Sequence, residues 1–349
     1  GHEEGLSTSQ QITRSFGPRA SKVVEALRVL PAIIWLGFQT WLGGGALNLA
    51  LSVLFGLDAR FACYIVVLLA EGVLSRAGFR GVKTMRNIGA LLTTAALCCV
   101  LYGGIRKFGL PESMSAGGWA AFDLRTFAGN VTICIGLYSA VILNASDYTR
   151  HLSRAVSPRT GFVVCLLGMA PATLLVCGIG WVSVGMAGVF DPIELIGAAI
   201  PNPALLVAVT VALLFAQLQT NLTNNLLPAI QAIRSMFGVA ERHAVWIALL
   251  ASVCCLPWKL VTADSARLLS IFIQVYSLML GPVFAVLAVD ACRFYKARIA
   301  PPGIPSGPRQ RRAIVAALAG IAASAFFPNV GWFVGAALTA ALYAPQRRG

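Results

Sequence analysis

Long uncharged apolar runs set the pattern of this chain. Stretches free of Asp, Glu, Lys and Arg occupy 29–57, 87–105, 126–146, 160–190, 195–233, 243–258, 268–289 and 313–346. Crossing a bilayer as a helix takes about 20 predominantly apolar residues. The runs are rich in Leu, Ala and Val and lack the alternation of barrel strands, so helices are predicted. The run 313–346 holds two spans, broken at Pro328-Asn329-Val330-Gly331. Residues 60–75 add a further span, interrupted by Glu71. The run 195–233 reads as one long helix preceded by a turn at Pro201-Asn202-Pro203. The expectation is an all-α polytopic membrane protein of about ten transmembrane helices.

Composition agrees: 58% of the 349 residues are hydrophobic and 11% are charged. Soluble domains run near one quarter charged. The net charge of +14 would suggest nucleic acid in a soluble protein. Here the bases fall in short loops, where they set orientation, and no nucleic-acid partner is expected. Arg14, Arg19, Lys22 and Arg28 precede the first span. Arg76, Arg80, Lys83 and Arg86 follow the second, and Arg150, Arg154 and Arg159 the fourth. Arg234 and Arg242 follow the sixth, Arg293, Lys296, Arg298, Arg309, Arg311 and Arg312 the eighth, and Arg347 and Arg348 close the tail. Alternate loops are poorer in bases: Asp58 offsets Arg60, and the stretch around Asp191 and Glu194 has none. Arg106, Lys107 and Arg125, partly offset by Glu112 and Asp123, fit least well. This alternation predicts both termini cytoplasmic, with 1–28 a cytoplasmic segment and 29–346 a single transmembrane domain. The chain starts at Gly1, and residues 1–22 lack an apolar core, so no signal peptide is predicted and the chain reads as the remainder of a longer protein.

Chemistry enters where polar side chains sit inside the spans, because in lipid these face a partner helix or a cavity. Trp35 and Gln39 lie four apart on one helix face, within Trp35-Leu36-Gly37-Phe38-Gln39-Thr40-Trp41. An aromatic plate beside an amide suits a flat ligand with donor and acceptor edges. The competing reading is an interfacial Trp belt with Gln39 tying helices together. The stretch 217–225, Gln-Leu-Gln-Thr-Asn-Leu-Thr-Asn-Asn, is too dense in amides and hydroxyls for structural glue alone and points to a wet cavity, an ion site or a substrate site. Asn221 shares a face with both Gln217 and Asn225. Gly129, Gly136, Asn130, Thr132 and Tyr138 permit either a broken helix or close packing through small residues. Glu71 either snorkels beside Arg76 or carries a proton. Asp147 and Asp290 read as boundary ion pairs with Arg150 and Arg293. His151 and His243 lie at span edges. The nine cysteines are scattered without ligand spacing and read as small buried hydrophobes. No nucleophile–base pair, phosphate loop or metal set is present, so neither an enzyme nor a resident cofactor is expected.

At these clusters the chain resembles nucleobase–cation symporter family 1, the permeases of cytosine and purines, uracil, thiamine, allantoin and hydantoin. The residues that carry the resemblance are Arg14-Ser15-Phe16-Gly17, Trp35 to Gly44, Asn144-Ala145-Ser146-Asp147-Tyr148-Thr149-Arg150, Gly168-Met169-Ala170-Pro171-Ala172, Gln219-Thr220-Asn221 with Asn225-Leu226-Leu227, and Gly281-Pro282 followed by Asp290. The resemblance implies two inverted five-helix repeats plus two extra helices, with the first two helices missing here. It implies a neutral heterocyclic substrate near the midplane, stacked by Trp35 and Tyr138, with Gly136 and Asn221 beside it, and read by Gln39 and Asn225. It implies a coupling cation, sodium or a proton, at Ala216, Gln219 and Thr220, with sodium at the Ala216 carbonyl and the Thr220 hydroxyl. Gln219 departs from the serine of sodium-coupled members, and Tyr138 from a tryptophan of hydantoin carriers. The alternatives are an amino-acid or amine carrier of the same architecture and a truncated, non-transporting membrane protein.

Overall fold

A computed structural model describes residues 5–109, 122–153, 155–188, 191–260, 263–297 and 307–344. The loop charges Glu112, Arg154, Arg298, Arg347 and Arg348 lie outside the described residues. Within them every regular element is helical. The helices are α1 (Thr8–Phe55), α2 (Arg60–Leu74), α3 (Gly78–Phe108), α4 (Leu124–Leu143), α5 (Ala145–Thr149), α6 (Pro158–Ala187) and α7 (Pro192–Ala199), followed by α8 (Pro203–Asn221), α9 (Leu227–Phe237), α10 (Glu241–Cys254), α11 (Ala263–Ala297), α12 (Gly307–Phe326) and α13 (Gly331–Tyr343). Each expected span falls on one or more of them.

Six described stretches are long and apolar enough to cross a bilayer: Thr8–Phe55, Gly89–Phe108, Leu124–Leu143, Pro158–Trp181, Pro203–Phe237 and Arg267–Arg293. Of the remaining spans, α2, α10 and α13 run 15, 14 and 13 residues, and the 20-residue α12 opens on Arg309, Arg311 and Arg312. Pro158–Trp181 is apolar and buries none of its residues, touching α3 along one side and Tyr138 of α4 through Thr173. The expected break before α13 is a turn ending at Val330. The expected turn before α8 is also present, and the Asn202 side chain caps it by accepting from the Leu205 N–H at 3.0 Å.

The first helix starts well before residue 29. Ser7 and Gln10 exchange side-chain and backbone bonds at its N-terminus, a capping box. Gly17 then takes φ +81°, a backbone state open to glycine and strained for other residues. A short helical segment therefore folds back ahead of the long one. Its Ile12 and Phe16 are buried among Leu143, Tyr276, Leu280, Val283, Val286 and Ala313.

The long part of α1 runs between two packed groups. On one side Ala32 and Leu36 join Leu68, Leu222, Leu226, Ile230 and Leu249, from α2, α9, α10 and the turn before α9. On the other lies the α4–α11–α12–α13 cluster, which Trp35 packs against. Close approach is enabled by glycine: a Cβ on Gly44 would stand 2.6 Å from the Tyr64 Cα, so α2 lies directly on α1 there.

Two ion clusters lock the ends of these helices; Asp290 keeps its expected neighbour Arg293 and adds Arg309, while Asp147 departs from its expected partner. Asp147 pairs with Arg28 rather than Arg150, at 3.4 Å. Arg28, 2% exposed, also pairs with Glu25 at 2.6 Å and donates to the Asn144 side chain. Asp147 in turn accepts the Thr8 N–H at 3.0 Å, which pins the N-terminal segment. Asp290 takes Arg309 at 2.8 Å and lies 3.8 Å from Arg293. It also accepts from Ser15 at 2.6 Å and Tyr343 at 3.1 Å. The long-range pairing follows from burial, since a charge out of water must find a partner wherever the fold supplies one.

Arg28→Met leaves Glu25 and Asp147 buried without their cation and should cost roughly 3–5 kcal/mol. Arg234→Ala, which breaks a pair whose side chains are 47% and 59% exposed, should cost under about 1 kcal/mol. Thermal unfolding of the detergent-solubilised chain, compared between the two variants, checks the difference.

Candidate functional site

The polar residues singled out on α1 and α8 meet in one chain of hydrogen bonds. Asn225 Nδ2 donates to Gln39 Oε1 at 3.1 Å and to Asn221 Oδ1 at 2.7 Å. Asn221 Nδ2 lies 2.7 Å from Glu71 Oε1 and 3.0 Å from both Thr40 Oγ1 and the Leu36 carbonyl. Thr40 Oγ1 is 2.7 Å from Glu71 Oε2 and 2.7 Å from the Leu36 carbonyl. The chain thus ties α1, α2 and α8 together through groups that are almost wholly buried.

Trp35 stands one turn before Gln39 on the same face, half-buried. Its indole Nε1 donates to Tyr276 OH at 3.4 Å. Phe38 meets it edge-on, with ring centroids 5.4 Å apart, and Tyr276 is itself braced edge-on by Phe272 at 4.8 Å. The indole plane is thus fixed by α11, while the amides beside it are fixed by α8. Trp41, two residues past Gln39, faces elsewhere. It packs against Tyr64 and Trp258, with the Arg60 guanidinium 4.7 Å from its ring, and Arg60 pairs with Asp191 at 2.7 Å.

The local cause of the amide arrangement is a widened turn. The expected single helix over 195–233 is α8, a π-helical segment Leu222–Leu226, then α9. Leu227 donates back to the Leu222 carbonyl, five residues earlier. Pro228 follows, has no N–H, and its ring would collide with the carbonyl four residues back in a regular helix. Widening the turn relieves that clash, and such π segments gather at functional sites. The Tyr148 phenol of α5 donates to the Thr223 carbonyl of this turn at 3.1 Å.

Other expected residues fall as follows. Gly136 is buried on α4, where a Cβ would stand 2.7 Å from Ser277 Cβ. Gly129 likewise faces the Asn329 side chain at 3.3 Å. Helix α4 is unbroken at both, so close packing accounts for them, and the chain kinks instead at Asn144. Tyr138, two residues past Gly136, is half-buried and shares a hydrogen bond with Thr173 of α6; among the described residues it makes no ring contact with Trp35. Thr220 Oγ1 bonds the Ala216 carbonyl at 2.7 Å, so these two oxygens are adjacent. Gln219 is 7% exposed, and its amide occupies the space over Gly89. Glu71 does not snorkel toward Arg76: it is 0% exposed. Sequence reasoning missed Tyr276 and Thr40 and gave Glu71 the wrong surroundings. Pro228 was the available signal for the widened turn.

Chemically, the arrangement offers one aromatic face flanked by two amides. Among the described residues, Gln39 Nε2 and Asn225 Oδ1 make no hydrogen bond. A donor on Gln39 and an acceptor on Asn225, carried by amides already joined at 3.1 Å, are therefore left uncommitted, one helical turn from Trp35.

A family profile described as permease for cytosine/purines, uracil, thiamine, allantoin matches residues 1–344. The chain is 26% identical over 307 residues to a purine-uracil permease NCS1 of Arabidopsis thaliana, covering 82% of this chain and 51% of that protein. It is 25% identical over 308 residues to a hydantoin permease of Microbacterium maritypicum (82% and 60%), and 26% identical over 314 residues to an allantoin permease of Bacillus subtilis (83% and 63%). It thus spans between half and two thirds of these relatives. Its fold is that of Mhp1, a nucleobase-cation-symport-1 family transporter solved closed with bromovinylhydantoin bound. The TM-score is 0.80 at 22% identity, over 98% of this chain and 78% of that one. An inward-facing form of Mhp1 gives the same TM-score.

Tyr148→Phe removes the donor to the Thr223 carbonyl and leaves that acceptor buried. It should lower stability by about 1–3 kcal/mol, read as a lower unfolding midpoint at unchanged helix content by circular dichroism.

Proposed function

This chain belongs to the family of permeases for cytosine/purines, uracil, thiamine and allantoin, and from that premise we propose that it is a secondary transporter importing a small, neutral, nitrogen-rich ring together with a cation. The observation that carries the proposal is the Gln39–Asn225 pair, 3.1 Å apart, with a donor and an acceptor to spare one helical turn from Trp35. Uracil, allantoin and hydantoins all present alternating N–H and C=O groups in one plane. A carboxamide pair meets that edge with complementary groups. The indole supplies stacking area at little entropy cost. In this reading Tyr138 closes the second face once its phenol leaves Thr173, Asn221 holds Asn225, and the Gly136 of the expected site is taken up by packing on Ser277.

A ligand without those edge groups leaves buried amides unpaired, and this is the basis of discrimination. An amino acid would bring two charges to a place that offers only neutral groups, which disfavours the amino-acid carrier reading. For the cation, the adjacent Ala216 carbonyl and Thr220 hydroxyl are oxygens suited to sodium, with the bulkier Gln219 beside them. A proton is the other candidate. We place the protein in a bacterial inner membrane with both termini cytoplasmic, as the distribution of Lys and Arg supports.

Tryptophan fluorescence of the purified chain, titrated with uracil, allantoin, cytosine and benzyl-hydantoin with and without sodium, tests the proposal. At least one ring should quench saturably. Gln39→Ala and Asn225→Ala should each weaken it by about 1–3 kcal/mol, roughly 5- to 150-fold. Unchanged affinity in both variants would remove the site assignment.

A further inference from the structure

Glu71 is the one acid of the described spans that the slot itself does not use and that no ion pair explains. It is fully buried on α2, and no Lys, Arg or His among the described residues pairs with it. From α1 come Thr40 and Leu36, both neutral; the nearest α1 charge is Arg28, three turns away and committed to Glu25 and Asp147. From α8 comes Asn221, and neither α8 nor the π segment contains a titratable residue. From α10, Leu249 covers the adjacent Gly72. The charges of α10, Glu241, Arg242 and His243, are in its first turn and exposed. On α2 itself, Tyr64 lies two turns earlier, with Cys255 of the α10 end nearby, and Arg76 is exposed beyond the helix end.

We propose that Glu71 is the proton-binding site of the transport cycle, linked to the ring slot through Thr40, Asn221 and Asn225. The geometry serves both protonation states without moving a heavy atom. In the ionised state, Oε2 accepts the Thr40 hydroxyl and Oε1 accepts the Asn221 amide, both at 2.7 Å. In the neutral state, the acid O–H at Oε2 donates to Thr40 Oγ1, and the Thr40 proton turns to the Leu36 carbonyl, 2.7 Å away. Asn221 keeps its bond to Oε1 throughout. One proton is taken from water on one side of the membrane and returned to water on the other, and no other bond changes. An ion pair would have fixed the charge permanently. With neutral donors alone among the described residues, the carboxyl can gain and lose it, which is the pattern of intramembrane proton carriers.

The link to the slot is Asn221. Its Nδ2 serves Glu71 while its Oδ1 is held by Asn225, whose amide also touches Gln39. A ring that takes Asn225 and Gln39 acts on the donor that Glu71 sees, and protonation acts back on the ring by the same amount. The inference rests on the ring-slot reading for this coupling, but the titration of Glu71 does not.

Two measurements on the full chain in detergent test it. The first is infrared difference spectroscopy between pH values from about 5 to 9, read at the carbonyl stretch of a protonated carboxyl. Wild type should show a titrating band that is absent in Glu71→Gln, and Thr40→Val, which removes a donor to the carboxylate, should shift its midpoint upward by about one pH unit. The second is the fluorescence titration with uracil, allantoin, cytosine and benzyl-hydantoin over the same pH range. Wild-type affinity should change by about tenfold across it, and Glu71→Gln, a mimic of the neutral acid, should bind with a flat pH profile. A titrating Glu71 band with no ring bound at any pH overturns the slot reading and the coupling while leaving the proton site. A wild type without the band, or a bound ring whose pH dependence survives in Glu71→Gln, overturns the proton site. Where Glu71→Gln does not fold, the Thr40→Val midpoint decides alone, an unshifted band counting against the proposal.

Discussion

The Asn221 carboxamide is fully buried at the end of α8 and is bonded on both sides. Its nitrogen serves the Glu71 carboxyl of α2 and the Thr40 hydroxyl of α1, and its oxygen receives Asn225 from within the widened turn. In a low-dielectric interior each of these groups is expensive to leave unmet. Three helices and a π segment are therefore held in one register by a single side chain. Apolar packing around it, through Leu36, Leu68, Leu222 and Leu226, tolerates small sliding. The hydrogen-bond chain does not, because its donors and acceptors match only in this alignment.

That constraint explains why the candidate slot sits on α1 at residues 35 to 39. There α1 lies between the two groups, giving Ala32 and Leu36 to the α2–α9–α10 side and Trp35 to the α4–α11–α12–α13 side. Gln39 reaches back to Asn225 in the first, and Trp35 reaches forward to Tyr276 in the second. A ligand lying across both residues touches two bodies that meet mainly through one helix. Transport by alternating access needs such a seam, with the ligand near its middle.

Much of this was legible in the sequence. The spans follow from charge-free runs, and the break at Pro328–Gly331 and the cap at Asn202 from local turn chemistry. The crowding of amides over 217–225 pointed to the hydrogen-bonded cluster, and the spacing of Trp35 and Gln39 to the α1 face that meets it. The rest depended on distance through space. That Asp147 would choose Arg28 over Arg150 required knowing that the segment before Gly17 folds back. That Glu71 would be buried required seeing Gly44 admit α2 against α1, since hydropathy assigns an acid four residues from the end of a span to the interface. The widened turn was a conflict between a helical pattern and Pro228, which a periodicity reading averages away.

Helix α5 has only five residues, and two consecutive ones serve different masters. Asp147 belongs to the ion cluster around Arg28, and Tyr148 holds the Thr223 carbonyl of the π turn. So short a helix has no room to flex between them. Prising the charged cluster apart at the membrane edge would drag the phenol from the turn that positions Asn225, and a rearranged turn would tug the carboxylate in return. The ion cluster and the widened turn, two separate polar centres of the fold, are thus joined through the single peptide bond between Asp147 and Tyr148.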